Sequence, residues 1–352
     1  MVAVAGFLAG PALPAVAQEP MSCPGAPTQT GSPGSEDLVG TPGPDTILAL
    51  DGADGLDGLA SADCLDGGAG VDDIFGHTGA DLLLSGTDAD YANGMEDPDV
   101  VAGGDGDDNL YGGEADDVVF GGADDDDIWG QDGTDALDGG LADDILYGGD
   151  SGDAIVGVGG ADRLYGQGGD DNLDGGGEGD SLFGEGGENT LLGGAGDDYL
   201  YQQDSNLEQT LNGGEDNDFL YVEDAVAADV DAGPGNDTIN ATSVEADAEG
   251  GEGVDFIYTR ARAVGGDGPD RIFRPETAFG GAGADFIERA DVANGGDDAD
   301  TIRFARLAAG DDGDDLLLFV THQGDGGPGD DVRQGVPTNP FEGPASDVDQ
   351  GV

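Results

Sequence analysis

The residues from Gly40 to Tyr201 divide into eighteen consecutive nine-residue units with no insertion or deletion. GGAGVDDIF (Gly67–Phe75), GGDGDDNLY (Gly103–Tyr111) and GGAGDDYLY (Gly193–Tyr201) show the frame, G-G-x-G-x-D-x-U-x, with U a large aliphatic. Position 6 is Asp in seventeen units, with Asn189 the exception. Position 8 is Ile, Leu or Val in seventeen, with Ala92 the exception, and position 1 is Gly in sixteen. Two positions held in step over this length require one supersecondary unit repeated along an axis.

Glycine at positions 1, 2 and 4 permits backbone conformations closed to other residues and lets neighbouring chains approach closely. Six residues then make a turn and three make a short strand. Side chains alternate along a strand, so position 8 points inward and positions 7 and 9 point out. Two units complete a coil of eighteen residues, which predicts an all-β, parallel β-roll of two stacked sheets. The Asp of each turn lies one coil spacing, about 4.8 Å, from the Asp eighteen residues on. A hard cation taking about 6–8 oxygens fits between two such turns, drawing on carboxylates and backbone carbonyls.

After Tyr201 the frame slips over Gln202–Asn212 and returns at Gly213 with GGEDNDFLY. Further units are read at Ala232, Gly250, Gly265, Gly280, Gly295 and Ala309, with an eroded one at Gly326. From Gly250 to Gly295 the spacing is fifteen, and the pieces TRARAV, RPETAF and RADVAN between the units read as strands whose second turn has been cut short. Ala248, Ala263, Ala278 and Ala293 recur two residues before each unit as an inward row of small side chains. The organisation expected is a linker over 18–39, a regular roll over 40–201, an insertion over 202–212, an irregular roll over 213–336 and an aperiodic tail over 337–352.

The nonapeptide resembles the repeats of the RTX (repeats-in-toxin, haemolysin-type) family. The resemblance implies a right-handed β-roll with calcium between successive turns on each edge. It implies that carbonyls of the Gly-rich turn and the position-6 carboxylates are the ligands. Those carboxylates are Asp45, Asp54, Asp63, Asp72, Asp81, Asp90, Asp99, Asp108, Asp117, Asp126, Asp135, Asp144, Asp153, Asp162, Asp171, Asp180 and Asp198 in the regular part. In the irregular part they are Asp218, Asp237, Asp255, Asp270, Asp285, Asp300 and Asp314, with Asp331 in the eroded unit. Repeats of this family accompany proteases, lipases, haemolysins and adhesins, so the repeat implies calcium binding and leaves the biological task open.

The chain carries 78 acidic residues and nine Arg, for a formal charge of −69. One buried aliphatic per nine ordered residues returns less than the conformational entropy it must offset. The stacked carboxylates add repulsion. A largely unfolded metal-free chain is therefore expected, with calcium neutralising the charge and supplying folding free energy. Such a surface lacks the basic groups that nucleic-acid binding requires.

Met1–Ala17 is a short apolar run ending in Ala15-Val16-Ala17. It reads as a secretory signal cleaved before Gln18, without a basic n-region, or else as an apolar tail. It is too short and too rich in Pro for a membrane span. Cys23 and Cys64 are the two cysteines. In a secreted chain they suggest a disulfide, the alternative being two separate thiols. Cys64 falls at position 7 and is expected to face outward.

Position 9 of alternate units carries Phe75, Asn93, Tyr111, Trp129, Tyr147, Tyr165, Phe183 and Tyr201. This row is either a stacking ladder on one sheet or a stripe that binds sugar. His77 and His322 lack zinc-ligand spacing, and no H-E-x-x-H or G-x-S-x-G is present. These observations favour a secreted, non-enzymatic, calcium-binding roll with a structural or adhesive role outside the cell. The alternatives are an accessory or secretion module of an enzyme or toxin whose catalytic part lies elsewhere, and a module for a cell-surface or carbohydrate ligand.

Overall fold

The computed structural model describes residues 21–203, 207–223, 225–243, 245–321, 323–327, 329, 331–334 and 348–349. The proposed signal segment and most of the tail lie outside them. The chain divides into two compact units, Met1–Thr190 and Leu191–Val352. Among the described residues there is no helix, and so none long and apolar enough to cross a membrane.

The first unit is a parallel β-roll. One sheet stacks Thr46–Leu48, Cys64–Ala69, Leu82–Thr87 and Val100–Asp105, each strand in parallel register with the next. The other stacks Gly55–Asp57, Asp73–Thr78, Tyr91–Glu96 and Asn109–Glu114 in the same way. The register is eighteen residues throughout. Ile47, Leu65, Leu83 and Val101 are therefore aligned on one side of the core, and Leu56, Ile74, Ala92 and Leu110 on the other. Each of these position-8 side chains is almost completely buried. Alternation within the strand leaves positions 7 and 9 on the outer faces.

Glycine matters most at position 2, where the backbone is left-handed. The φ values of Gly68, Gly86 and Gly104 lie between 97° and 116°. Non-glycine residues at this position are held there too, with His77 at 71°, Met95 at 83° and Gln131 at 82°.

The roll begins before Gly40. GSPGSEDLV (Gly31–Val39) is itself a unit, with Glu36 at position 6 and Leu38 buried at position 8. Its strand Asp37–Val39 pairs with Gly55–Asp57, and Gln29–Thr30 pairs with Thr46–Leu48. The expected linker over 18–39 is thus corrected over its second half. Cys23 and Cys64 form a disulfide, and Cys64 is buried rather than exposed, because its partner covers it.

The second unit is also a parallel roll, with coils that shorten along the chain. Tyr199–Gln202 pairs with Phe219–Val222, and that strand pairs with Thr238–Ala241. From Asp255 to Asp315 successive coils are fifteen residues long. Ala248, Ala263, Ala278, Ala293 and Ala308 stack in register and are buried. Ile257, Ile272, Ile287 and Ile302 form the other buried row. A coil three residues shorter encloses less volume, and an isoleucine opposite an alanine fills it without the strain of overpacking.

The last full unit starts at Gly310, not Ala309. Its position-6 residue is Asp315, which is buried, whereas Asp314 is exposed. Leu317 is the fully buried position-8 side chain of that unit.

Candidate metal centre

The position-6 carboxylates form ladders within each unit. In the first unit, one runs from Glu36 and Asp54 to Asp180 and another from Asp45 and Asp63 to Asn189. Each Oδ1 accepts the backbone N–H of the position-6 residue one coil earlier. Examples are Asp72 N–H to Asp90 at 2.8 Å, Asp81 N–H to Asp99 at 2.7 Å and Asp171 N–H to Asn189 at 2.9 Å. In the second unit a single ladder runs from Asp198 through Asp218, Asp237, Asp255, Asp270, Asp285, Asp300 and Asp315 to Asp331. One oxygen of each carboxylate is thus committed to tying adjacent coils together.

The other oxygen has a different environment. From Asp54 through Asp171, Oδ2 of every position-6 aspartate is buried and has no hydrogen-bond partner. The same holds for Asp218, Asp237, Asp255, Asp270, Asp285, Asp300 and Asp315. A buried carboxylate oxygen without a donor is costly, and a row of them is unsustainable unless a cation or proton sits against each.

The backbone supplies room and further oxygens beside them. A methyl group added to Gly76 would sit 2.6 Å from Asp81 Oδ2 and 2.8 Å from the Gly94 carbonyl oxygen. At Gly250 it would sit 2.5 Å from Asp255 Oδ2 and 2.6 Å from the Gly265 carbonyl oxygen. Position-1 glycine therefore leaves open a cradle between a carboxylate and the carbonyl of the next coil, at spacings close to calcium–oxygen distances of about 2.3–2.6 Å. Among the described residues no three acidic, His or Cys side chains converge on one point. A cation in the cradle must therefore complete its shell with carbonyls, which suits calcium. The residues present fit that ion.

Burial dominates the electrostatics. It pushes the Asp90, Asp126 and Asp153 carboxyls up to about 8, and neighbouring aspartates of the ladder push in the same direction. Asp81, Asp218 and Asp300 are raised to about 7 for the same reason.

The RTX calcium-binding nonapeptide repeat matches residues 30–63, 56–83, 84–119, 111–146, 147–182, 174–201 and 209–224, just over half of the chain. The chain belongs to the RTX calcium-binding nonapeptide repeat family. Its cofactor is calcium, bound at several places along this RTX roll. No curated protein matches the sequence. Among solved structures, the RTX chain is similar to a hyperactive, Ca2+-dependent, beta-helical antifreeze protein from an Antarctic bacterium. The two are 15% identical with a TM-score of 0.38, over 82% of this chain and 84% of that one.

On the outer face of the RTX roll the position-9 aromatics stack on one another. Tyr111 and Trp129 lie 4.5 Å apart and 4° from parallel, and Trp129, Tyr147, Tyr165 and Phe183 continue the stack at 4.8–5.6 Å. The gap at Asn93 is filled by Tyr91 from position 7, which bridges Phe75 and Tyr111. Tyr91 can take that place because positions 7 and 9 share a face. His77 lies beside this row with Nε2 3.1 Å from Asp57.

In the second unit the arginines pair locally. Arg262 meets Glu249 at 3.1 Å, Arg289 meets Glu288 at 3.7 Å and Arg306 meets Asp291 at 3.9 Å. Arg274 lies over the Tyr258 ring and donates to its hydroxyl at 2.8 Å.

Proposed function

We propose that this protein is a non-enzymatic RTX roll that is secreted, folds as calcium binds and serves as a structural or adhesive element outside the cell. The position-6 aspartates from Asp54 to Asp331, with Asp315 in the place first given to Asp314, supply carboxylate ligands. Carbonyls of the Gly-rich turns supply the rest.

The observation that carries this reading is the row of buried, donor-free Oδ2 atoms beside open glycine cradles. Metal-free, that row stores repulsion and desolvation, and calcium relieves both. The Cys23–Cys64 disulfide and the apolar leader-like segment support an oxidising, extracellular setting. The stacking of the aromatic rows supports a structural role for them, since each ring face is covered by the next ring and is closed to a sugar.

Far-UV circular dichroism of the full chain tests the proposal. Chelator should give a largely unfolded spectrum and millimolar calcium a β spectrum. Magnesium should substitute poorly because it demands a tighter octahedron. A complete β spectrum in chelator at neutral pH would refute calcium-driven folding.

A further inference from the structure

In the first unit, the first turn of each of the two ladders differs from every turn after it. Position 2 of those two turns is Ser32 and Thr41, and neither has the left-handed backbone that His77, Met95, Gly68 and Gly104 show at the same place. With that change the position-2 donors turn onto the carboxylate of their own turn. Ser32 N–H donates to Glu36 Oε2 at 2.7 Å and its hydroxyl to Oε1 at 2.5 Å. Thr41 N–H donates to Asp45 Oδ2 at 2.5 Å and its hydroxyl to the same oxygen at 2.9 Å. The oxygen left without a donor in the position-6 aspartates from Asp54 through Asp171 is here satisfied by the chain itself. Both ladders show this independently, with different residues.

We infer that Ser32 and Thr41 are metal-independent caps, and that the N-terminal coils they close form a nucleus that persists when calcium is withdrawn. The inference rests on the reading above that the later carboxylates hold calcium. The physical contrast is direct. A capped carboxylate has its charge met by two donors without an ion, whereas each interior carboxylate depends on one. Both capped turns fall within the loop closed by Cys23–Cys64, which limits the unfolded alternatives of the same segment. Roll stability is a sum over neighbouring coils, so a preformed end gives calcium a template on which each next coil can order. By this inference Asp45 serves as a cap and not as a calcium ligand.

Hydrogen exchange by mass spectrometry on the disulfide-intact full chain tests this. In chelator, amides of residues 37–66 should exchange at least about tenfold more slowly than those of strands Val100–Asp105 to Ala154–Gly159. The double variant Ser32→Gly, Thr41→Gly should lose that difference in chelator and still become protected in calcium. Equal, rapid exchange of all segments in chelator overturns the cap and leaves the calcium reading standing. Uniform protection in chelator overturns the calcium reading first. A double variant that keeps the wild-type difference shows that these side chains are not its cause. The wild-type comparison decides by itself if the variant does not fold.

Discussion

Asp90 accepts the backbone N–H of Asp72 through Oδ1 at 2.8 Å, while Oδ2 of the same buried carboxylate meets no donor. The division of labour within one side chain links fold to function. One oxygen ties coil to coil, and the other is left for what lies between the coils. A side chain with a single acceptor could do the first task alone, as Asn189 does for Asp171.

This division predicts an inverse pH response with and without calcium. Burial raises Asp90, Asp126 and Asp153 to about 8 in the fold, against an ordinary carboxylate near 4. A group with a raised folded pKa binds more protons folded than unfolded. Its stabilising contribution is complete below the ordinary value and is lost as pH rises through about 8. The metal-free roll should therefore gain β structure at about pH 4 and lose it by about pH 8. In calcium the order reverses, because protons compete with the ion. Circular dichroism against pH in metal-free and calcium buffers checks both limbs, and a metal-free spectrum insensitive to pH would count against buried carboxylates.

Asp126 offers the cleanest substitution. Asp126→Ala leaves the Asp108 N–H without its acceptor at 2.9 Å and removes one carboxylate from the ladder. The lost hydrogen bond alone should cost about 1–3 kcal/mol. Asp126→Asn keeps an acceptor in place, as Asn189 does, so its defect should lie in calcium affinity. The calcium midpoint should rise for both variants, and the rise should be smaller for Asn. Calcium titrations of the three proteins with denaturant melts at saturating calcium separate the two effects.

Much of this was legible in the sequence because every coil makes the same demand. Position 8 must fill a core slice and position 6 must bridge two coils, so Leu, Ile and Asp recur where physics repeats. What escaped was residue substitution within the demand. Glu36 occupies position 6 with a side chain one methylene longer than aspartate, in a turn whose Ser and Pro read as linker. Asp314 and Asp315 are adjacent acids before three consecutive leucines, so no hydrophobic mark fixes position 8 there, and only burial of Leu317 separates the two registers. Tyr91 was overlooked because a ladder built on one position can borrow a ring from another on the same face.

The aromatic stack should report and support the same folding event. Trp129 lies between Tyr111 and Tyr147 with both faces covered, on the outer surface of the roll. Its emission should change with calcium in step with circular dichroism, and acrylamide should still quench it through the exposed ring edge. Trp129→Ala removes two stacked contacts worth about 0.5–1.5 kcal/mol each. It should lower stability in calcium by about 1–3 kcal/mol without changing the number of ions bound.

The ladders also set stoichiometry. Among the described residues, the ladder from Glu36 to Asp180 has eight coil-to-coil carboxylate links, the ladder from Asp45 has seven and an eighth link to the Asn189 amide, and the ladder of the second unit has eight carboxylate links. Calcium per coil in the second unit should be half that of the first, because its short edge presents Arg274, Arg289 and Phe304 where a Gly-Asp turn would stand. Exposed arginine pairs such as Arg289–Glu288 are worth only about 0–1 kcal/mol, so they do not replace the ions of the remaining edge. Asp81→Ala and Asp99→Ala together should remove ions from one edge of the first unit and leave the second unit's occupancy unchanged. Asp285→Ala and Asp300→Ala should strip the second unit over the affected coils, with no other edge to hold them. Equilibrium dialysis with metal analysis, read beside hydrogen exchange across residues 255–315, checks this. Coils around Asp285 that remain protected after the double substitution would show that the short edge carries stability of its own.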